Sequence, residues 1–475
     1  MALHQPIHRL AESMGLSATQ QFDVSQGYDK GRFLSNLFLA LSIASTAGLL
    51  FSWRFSQQRS VAFMVVAASA LAAIALIPAL SRHLTERKVL VTSGFLLVLA
   101  VIVPPIASHD LWSYATYGRM LAHYHVSPYT HTPSQFPADP LSHLTFWRTY
   151  STVYGPLFTL LSAGIMSIVG ISEIAIRLVF QSMAALATLA ALLTLRKRVP
   201  PAALAFIGLS PMVIVSAVNG GHNDVLVGLI VLWAVLLLGS ERSTGAAVLL
   251  GTAALIKVSV LVAIGASILW VWRRSGLKDA FKVTAISGAM LGVGYWTAGG
   301  FRALEPLSKM GHRVSRDSMW ELIRRFFRTI TVTKPQSWPV MMLALFFLAT
   351  IFVIVLARQR DAAPTLAVGS ALVVYTLIAP YVLPWYLMWA LPVLALEWRS
   401  AAARVAFAQT SFMLVTYIYQ PAKHLRPFAR SLKWTISFTQ MFEVTALLLL
   451  LGFAGLELRN VVMRLHQAAP HSEEA

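Results

Sequence analysis

The sequence predicts an all-α polytopic membrane protein with about 12–14 transmembrane helices and long outer loops. Three observations predict this class. Of the 475 residues, 57% are hydrophobic and 12% are charged, against roughly 25% charged residues in an average soluble domain. The apolar residues form separate blocks of about 20, the helix length that crosses a hydrocarbon core of about 30 Å. Charged residues, Pro and Gly bound these blocks, as expected for spanning helices joined by short loops.

The positions of the spans follow from the apolar blocks in chain order. The block 244–272 is too long for one upright span and contains Lys257 near its middle, so we predict two short helices that meet there. The other blocks are interpreted as single spans at 33–53, 60–80, 89–106, 174–195, 201–218, 224–240, 282–298, 338–357, 364–380, 385–397, 402–420 and 436–457.

The orientation follows from the tendency of Lys and Arg to lie on the cytoplasmic side. Six clusters of Lys and Arg, named at the end of this paragraph, can all be cytoplasmic if 155–170 is a re-entrant or surface helix rather than a full crossing. Cytoplasmic tails at 1–32 and 458–475 then flank a transmembrane domain at 33–457. The clusters are Arg82, Arg87 and Lys88; Arg196, Lys197 and Arg198; Arg273, Arg274 and Lys278; Arg358 and Arg360; Arg399 and Arg404; and Arg459 and Arg464.

Two hydrophilic stretches consequently face outward, the first long loop (107–154) and the second long loop (299–337). The second long loop is rich in Arg and Lys against the positive-inside tendency, which indicates an anionic ligand such as phosphate. Contact with anionic lipid headgroups is the alternative. Its charged residues are Arg302, Lys309, Arg313, Arg316, Arg324, Arg325, Arg328 and Lys334 against Glu305, Asp317 and Glu321.

The charge and the cysteine content exclude several classes of function. The net charge of +19 also occurs in nucleic-acid-binding proteins, but in a polytopic protein the excess Lys and Arg lie at cytoplasmic loops and headgroups. We therefore expect the lipid bilayer as a partner and no nucleic acid. The chain has no Cys, which excludes disulfides, thiolate catalysis and Cys-ligated metal sites.

The first long loop contains a carboxylate directly after an apolar block. If residues 111–123 are helical, Asp110 lies at the helix N-terminus, where the helix dipole stabilises its ionised form. Tyr114, Tyr117 and Gly118 then share its face. An ionised carboxylate among aromatic rings and hydroxyls suits a general base acting on a sugar alcohol. A plain helix N-cap is the alternative.

A second polar turn is predicted to lie on the same outer side. The span at 201–218 runs outward into the turn Asn219–Asp224, which contains two glycines. His222 and Asp224 offer a hydrogen-bond donor to phosphate, a carboxylate, or ligands for a metal ion. A helix cap by Asn223 and Asp224 is the alternative.

Lys257 lies in an otherwise apolar block, where an unpaired ammonium is expensive. Its anion is a lipid-linked phosphate, Asp110 or Asp224, and snorkelling of the ammonium to the interface is the alternative. Glu443 is a further acid within a predicted span, and the sequence indicates no partner for it.

The segment Ala379–Tyr386 ends an outward-running span with two prolines and three aromatic residues. Tyr381 and Trp385 are candidates to stack on sugar rings, or members of an ordinary interfacial belt. His424 and Arg426, in a later outer loop, are candidates for the same pocket.

These motifs together resemble the GT-C membrane glycosyltransferases. The likeness rests on the acid after an early span, the long first loop ending in Tyr154-Gly155-Pro156-Leu157, and the second polar turn, and it covers residues 33–457. Asp110–Tyr114, Ser127-Pro128-Tyr129 and Gly221–Asp224 look most like polyprenol-phosphate-mannose-dependent α-mannosyltransferases, including those that extend mycobacterial mannan. The family commonly has Asn-Pro-Tyr where this chain has Ser127-Pro128-Tyr129.

The resemblance implies that Asp110 is the base, that the donor is a sugar on a polyprenyl phosphate, and that the anomeric configuration inverts. A polyprenyl phosphate leaves as a stable anion, so transfer needs a base and cations but no strong general acid. The candidate phosphate-binding residues are Lys257, His222, Arg302, Arg313 and Arg316. The candidate sugar- and acceptor-binding residues are Tyr114, Tyr117, Arg119, Tyr154, Asn223, Asp224, Tyr381, Trp385 and His424.

No Asp-X-Asp occurs in the sequence, which argues against a metal-held nucleotide sugar as donor. We expect no required cofactor, although His222 and Asp224 offer a weak metal site. The predicted function is transfer of a hexose, with mannose as the leading candidate, to a glycolipid or glycan outside the cytoplasmic membrane.

Two other functions were weighed. A secondary transporter would use Lys257, Glu443 and His222 as coupling residues near the midplane, but the two halves of the chain show no convincing repeat. A flippase or ligase for a diphosphate-linked glycan is compatible with the cationic second long loop.

Overall fold

A computed structural model of the protein describes residues 18–51, 83–106, 108–311, 313–316, 318–330, 362–418, 436–437 and 439–446, together with positions 448, 449, 452 and 459. Over these ranges the regular structure is entirely helical. The predicted spans at 60–80 and 338–357, much of the one at 436–457, and most of both predicted tails lie outside the described residues. His424 and Arg426 lie outside them as well.

Fifteen α-helices are described in these ranges, and short helices of other types lie between them. The α-helices are α1 (Ala18–Leu50), α2 (Glu86–Ile102), α3 (Asp110–Ala122), α4 (Pro156–Val169), α5 (Glu173–Leu195), α6 (Pro201–Gly208), α7 (Asp224–Gly239), α8 (Ser243–Ile256), α9 (Leu261–Ser275), α10 (Leu277–Thr297), α11 (Glu305–Gly311), α12 (Met319–Ile330), α13 (Pro364–Ile378), α14 (Leu391–Ala395) and α15 (Ala401–Ile418). The others are 3₁₀ helices at Pro133–Gln135, Val258–Val260, Gly300–Ala303 and Pro384–Trp389, and a π-helix at Met212–Val218.

Several helices are long and apolar enough to cross a membrane, which confirms the predicted polytopic all-α class. Within the described ranges, three helices meet this standard, Gly31–Leu50, Glu173–Leu195 and Val258–Ser275. Pro201–Gly208 and Met212–Val218 meet it only as a pair, which is bent by 42° and is a broken span or a re-entrant loop. The shorter apolar helices are Pro156–Val169, Asp224–Gly239, Ser243–Ile256 and Pro364–Ile378.

The helix breaks follow from prolines and from Lys257. The predicted pair of short helices is confirmed, because α8 ends at Ile256 and Lys257 is extended. The predicted span at 201–218 is a bent pair of helices rather than one continuous helix. Pro211 has no N–H and its ring would clash with the carbonyl four residues earlier, so α6 ends at Gly208. The predicted span at 385–397 consists of a 3₁₀ helix followed by the short α14.

The chain resumes after Pro211 as a π-helix. The N–H of Asn219 donates to the carbonyl of Ile214 at 2.9 Å, and that of His222 to the carbonyl of Ala217 at 3.0 Å. Both bonds reach five residues back instead of four. Gly221, with φ of +65°, then turns the chain into α7. The polar turn predicted from the sequence therefore begins on an unusual helix.

Close backbone contacts position the elements around this turn. A Cβ on Gly228 in α7 would lie 2.0 Å from the carbonyl oxygen of Met388, so the 3₁₀ helix Pro384–Trp389 packs directly on α7. Gly155 donates its N–H to the carbonyl of Ile256 at 2.9 Å. A Cβ there would lie 2.0 Å from the carbonyl oxygen of Leu255. The start of α4 is therefore fixed against the break at Lys257.

A buried amide network fixes the chain between α2 and α3. The Asn219 Nδ2 donates to the carbonyls of Ala100 and Val103 at 3.0 and 2.9 Å, and its Oδ1 accepts the N–H of Ile106 at 3.0 Å. The Gln181 Nε2 donates to the same two carbonyls and to that of Asn219. Because Asn219 opens the polar turn, this network ties the turn to the chain that leads into Asp110.

Candidate active site

Asp110 lies where the first long loop enters α3, and it is held from both sides. Its N–H donates to the Ser108 Oγ at 3.1 Å, so Ser108 rather than Asp110 performs the capping. The Trp147 Nε1 donates to the Asp110 Oδ1 at 3.1 Å. The His222 Nδ1 lies 3.6 Å from the Oδ2 of Asp110. The turn predicted to face Asp110 therefore contacts it directly.

The carboxyl of Asp110 is poised to act as a base near neutral pH. Burial raises its pKa from 3.8 to about 6, and the Trp147 hydrogen bond and the Lys257 charge limit the rise. The Asp110 side chain keeps 14% of its surface exposed. The group is therefore mostly ionised at pH 7, and it accepts a proton more readily than an ordinary Asp.

His222 is fixed in orientation and kept neutral. Its ring stacks on Trp385, with centroids 3.7 Å apart and an interplanar angle of 16°. The Tyr114 hydroxyl lies 3.4 Å from its Nδ1. Burial, and then the charge of Lys257, lower the pKa of His222 well below 6.5. The imidazole therefore offers hydrogen bonds rather than a positive charge.

Lys257 finds its anion in Asp224. The Nζ of Lys257 lies 2.7 Å from the Oδ1 of Asp224, and the Trp389 Nε1 donates to the same oxygen at 2.7 Å. The ammonium also lies 4.1 Å from the centre of the Tyr386 ring. One of the partners proposed for Lys257 is thus confirmed, and the buried ammonium does not snorkel to an interface. Asp224 does more than cap α7.

Aromatic rings form one wall of the site. The Tyr114 ring packs edge-on against Tyr154 and Phe158, with centroids 4.8 and 4.9 Å away. The Tyr117 hydroxyl donates to the carbonyl of Tyr150 at 2.9 Å. Three of the predicted sugar-binding aromatics therefore lie together around Asp110 and His222, joined by the stacked Trp385.

Arg313 brings the second long loop to the site. Its guanidinium carbon lies 4.9 Å from the centre of the Trp147 ring and 4.4 Å from that of Tyr150, and it donates a hydrogen bond to the Tyr150 hydroxyl. Burial chiefly raises the pKa of Tyr381. The charge of Asp110 raises it further and that of Arg313 lowers it. The charges of Asp110 and Arg313 therefore both act on Tyr381.

The other predicted site residues have the following surroundings. Arg119 forms a buried ion pair with Asp139 at 2.8 Å, inside the first long loop. Arg302 is exposed on the turn Gly300–Ala303. The backbone carbonyl of Arg316 accepts a hydrogen bond from the Gln440 Nε2 at 2.8 Å. Their roles at the substrate stay predictions, as does that of His424.

Glu443, for which the sequence indicated no partner, accepts the backbone N–H of Met319 at 2.8 Å. The acid therefore holds the first residue of α12.

The described residues contain no group of three or more His, Asp, Glu or Cys that could hold a metal. Of the two residues named as a weak metal site, Asp224 uses its Oδ1 for an ammonium and an indole N–H, and the metal site stays a prediction.

Three contact residues escaped the sequence analysis, Trp147, Tyr150 and Trp389. Trp147 is a large aromatic residue in a polar loop, a signal that marks it as a candidate without naming its partner. Trp389 follows Trp385 by four residues in the same 3₁₀ helix, so its position close to an aromatic segment was the signal that could have marked it.

Comparison with known proteins identifies the family of the chain. Residues 30–274 match the family model described as "Alpha-(1->6)-mannopyranosyltransferase, N-terminal domain", and residues 329–450 match the "MptB C-terminal domain". The chain is 24% identical over 372 residues to the alpha-(1->6)-mannopyranosyltransferase A of Mycobacterium tuberculosis (strain ATCC 25618 / H37Rv), across 71% of this chain and 70% of that protein. No solved structure matches the chain. The chain therefore belongs to the alpha-(1->6)-mannopyranosyltransferase family.

Proposed function

We propose that this mannosyltransferase moves mannose from a polyprenyl-phosphate carrier to a glycolipid or glycan at the outer face of the cytoplasmic membrane. The observation that carries the proposal is the environment of Asp110. Its carboxyl has a pKa of about 6, its side chain keeps 14% of its surface exposed, and it lies among aromatic rings and a neutral imidazole. Such a group takes a proton from a sugar hydroxyl and needs no metal to do so.

In the proposed reaction, the hydroxyl oxygen of the acceptor attacks the anomeric carbon of the donor sugar. The Asp110 Oδ2 accepts the proton of that hydroxyl at the same time. The bond from that carbon to the phosphate oxygen breaks, and the electron pair leaves with the polyprenyl phosphate. Attack from the face opposite the phosphate inverts the configuration. The indole N–H of Trp147 donates to the Oδ1, which leaves the second oxygen of the carboxylate for the proton.

Two cations are proposed to stabilise the departing phosphate. Lys257 is held by Asp224, and the charges of both act on Asp110. Arg313 belongs to the second long loop and has its guanidinium against Trp147. A planar guanidinium suits phosphate, because it offers several donors in one plane. A phosphate is already a good leaving group, so the chain needs no strong acid and, we propose, no required metal or other cofactor.

The transporter alternative does not fit the family or the contacts. A coupling acid should be exchangeable with protons or ions, whereas Glu443 is bonded to the backbone of Met319. Lys257 is likewise bonded to Asp224.

A donor comparison tests the proposal. Protein purified in detergent should release labelled glycan product from a polyprenyl monophosphate mannose donor, since transfer needs no sealed compartment. A diphosphate-linked oligosaccharide should give no product. If only the diphosphate donor is used, the protein is a ligase and the proposal is refuted.

The outward orientation has its own test, because the chain contains no Cys. The exposed residues Ala138, in the first long loop, and Ser275, at the end of α9 beside the Arg273 cluster, are suitable sites for single cysteines. In intact cells, a membrane-impermeant maleimide should label Ala138→Cys but not Ser275→Cys until the membrane is opened. The reverse pattern would place the site on the cytoplasmic side.

A further inference from the structure

Three consecutive residues of the polar turn keep buried polar atoms without a hydrogen-bond partner. These atoms are the Nε2 of His222, both the Oδ1 and the Nδ2 of Asn223, and the Oδ2 of Asp224. All three residues are 0% exposed. Buried polar groups in proteins are hydrogen-bonded in the large majority of cases, and leaving them unbonded is unfavourable. So dense a cluster of four such atoms points to a ligand.

Each of the two ionisable residues has one side engaged and one side free. The Nδ1 of His222 faces Asp110, and the Oδ1 of Asp224 binds Lys257 and Trp389. The second polar atom of each has no partner. The engaged atoms therefore fix the side chains, and the other atoms are held in fixed positions without a hydrogen-bond partner.

The chemistry of these atoms selects the ligand. The Nδ1 of His222 lies 3.4 Å from the Tyr114 hydroxyl and 3.6 Å from the Oδ2 of Asp110, so its Nε2 accepts or donates a hydrogen bond according to the tautomer. The Oδ2 of Asp224 is an acceptor, while the amide of Asn223 both donates and accepts. The negative charge of the Asp224 carboxylate disfavours phosphate. Hydroxyl groups match the set, because each donates one hydrogen bond and accepts others.

We propose that His222, Asn223 and Asp224 form a subsite that binds the hydroxyl groups of a hexose lying against Asp110. The inference rests on the proposed function and deepens it, since it replaces phosphate by hydroxyl as the group that His222 binds. The hexose is either the mannose of the donor or the terminal sugar of the acceptor. The stacked Trp385 keeps the imidazole plane fixed, so that the subsite recognises hydroxyl positions rather than polarity alone.

The test compares the wild type with Asn223→Leu, which keeps the number and branching of the side-chain heavy atoms and has no polar group. Relative kcat/KM is measured with donors, and then with acceptors, that each lack one hydroxyl. The wild type should lose about tenfold or more with at least one analogue. In Asn223→Leu, the loss of kcat/KM caused by the missing hydroxyl should shrink to about twofold. If it shrinks with the donor analogues, the subsite binds the donor mannose, and if it shrinks with the acceptor analogues, the subsite binds the acceptor sugar.

Ser93→Ala is the matched control, because the Ser93 Oγ is also buried without a partner but lies in the middle of α2. It should keep the wild-type discrimination. Without substrate, Asn223→Leu should melt at or above the wild-type temperature, since it removes no hydrogen bond within the protein.

Two results would overturn the subsite. One is full wild-type discrimination in both Asn223→Leu and Asn223→Ala, with donors and acceptors alike. The other is a lower melting temperature for both variants, which would show that the amide is bonded within the protein. A wild type that cannot use polyprenyl monophosphate mannose would refute the proposed function instead, and the melting comparison would still decide the subsite.

Discussion

Replacing Asp110 with Asn should remove most of the transfer activity and at the same time make the protein more stable. The carboxyl is ionised at pH 7.5 in both the folded and the unfolded chain, but its pKa rises from 3.8 to about 6 on folding. A difference of about two units, at about 1.4 kcal/mol each, means that holding the charge destabilises the folded state by about 3 kcal/mol. Asparagine carries no charge and still accepts the Trp147 hydrogen bond through its oxygen.

The dependence on pH makes this prediction specific. A carboxyl with a raised folded-state pKa destabilises the protein above that pKa, and the effect disappears as the pH falls below the unfolded value. Asp110→Asn should therefore melt at a higher temperature than the wild type at pH 7.5, and the two should converge below about pH 4.

Differential scanning fluorimetry in detergent across this range gives the stability, and product release from the mannose donor gives the rate. Loss of a general base should lower kcat by about 10²- to 10⁴-fold. Two results would refute the assignment of Asp110 as a buried carboxyl with a raised pKa. One is a melting temperature of Asp110→Asn below that of the wild type at pH 7.5, and the other is a difference in melting temperature that does not shrink as the pH falls.

Three further predictions concern the groups around the base. Trp147→Phe removes the hydrogen bond that lowers the pKa of Asp110, so the acid limb of the kcat/KM profile should move to higher pH; an unchanged limb would rule out this role. Lys257→Met leaves the buried Asp224 without its cation and should destabilise the protein by about 3–5 kcal/mol, whereas adding Asp224→Asn should recover much of the loss in the melting temperature. Gly155→Ala places a Cβ 2.0 Å from a carbonyl oxygen of α8, so it should lower both stability and kcat, and a variant with wild-type values would show that the close approach is dispensable.

The sequence was informative where a single residue carries a strong local preference. Lys257 in an apolar block predicted both a helix break and an anionic partner, and the structure shows both. The positive-inside tendency predicted that Asp110 and His222 lie on the same side of the membrane, and the His222 Nδ1 lies 3.6 Å from the Asp110 Oδ2. These inferences succeed because charges in an apolar environment have few alternatives.

Contacts between irregular segments could not be predicted in the same way. Trp147 lies 37 residues after Asp110 in a loop without regular structure, so no periodicity connects the two. The bend at Pro211 and the π-helix after it were read as one uniform apolar span, because hydropathy reports how apolar a segment is and not how it winds. The proline alone marked the bend.

The π-helix Met212–Val218 sets the direction in which the side chains of the following polar turn point. Each residue of an α-helix turns the chain by about 100° and advances it by about 1.5 Å. Loss of a single residue from this segment would swing the imidazole of His222 away from Trp385 by roughly a quarter of a revolution. The number of residues in Met212–Val218 therefore decides where the imidazole of His222 lies.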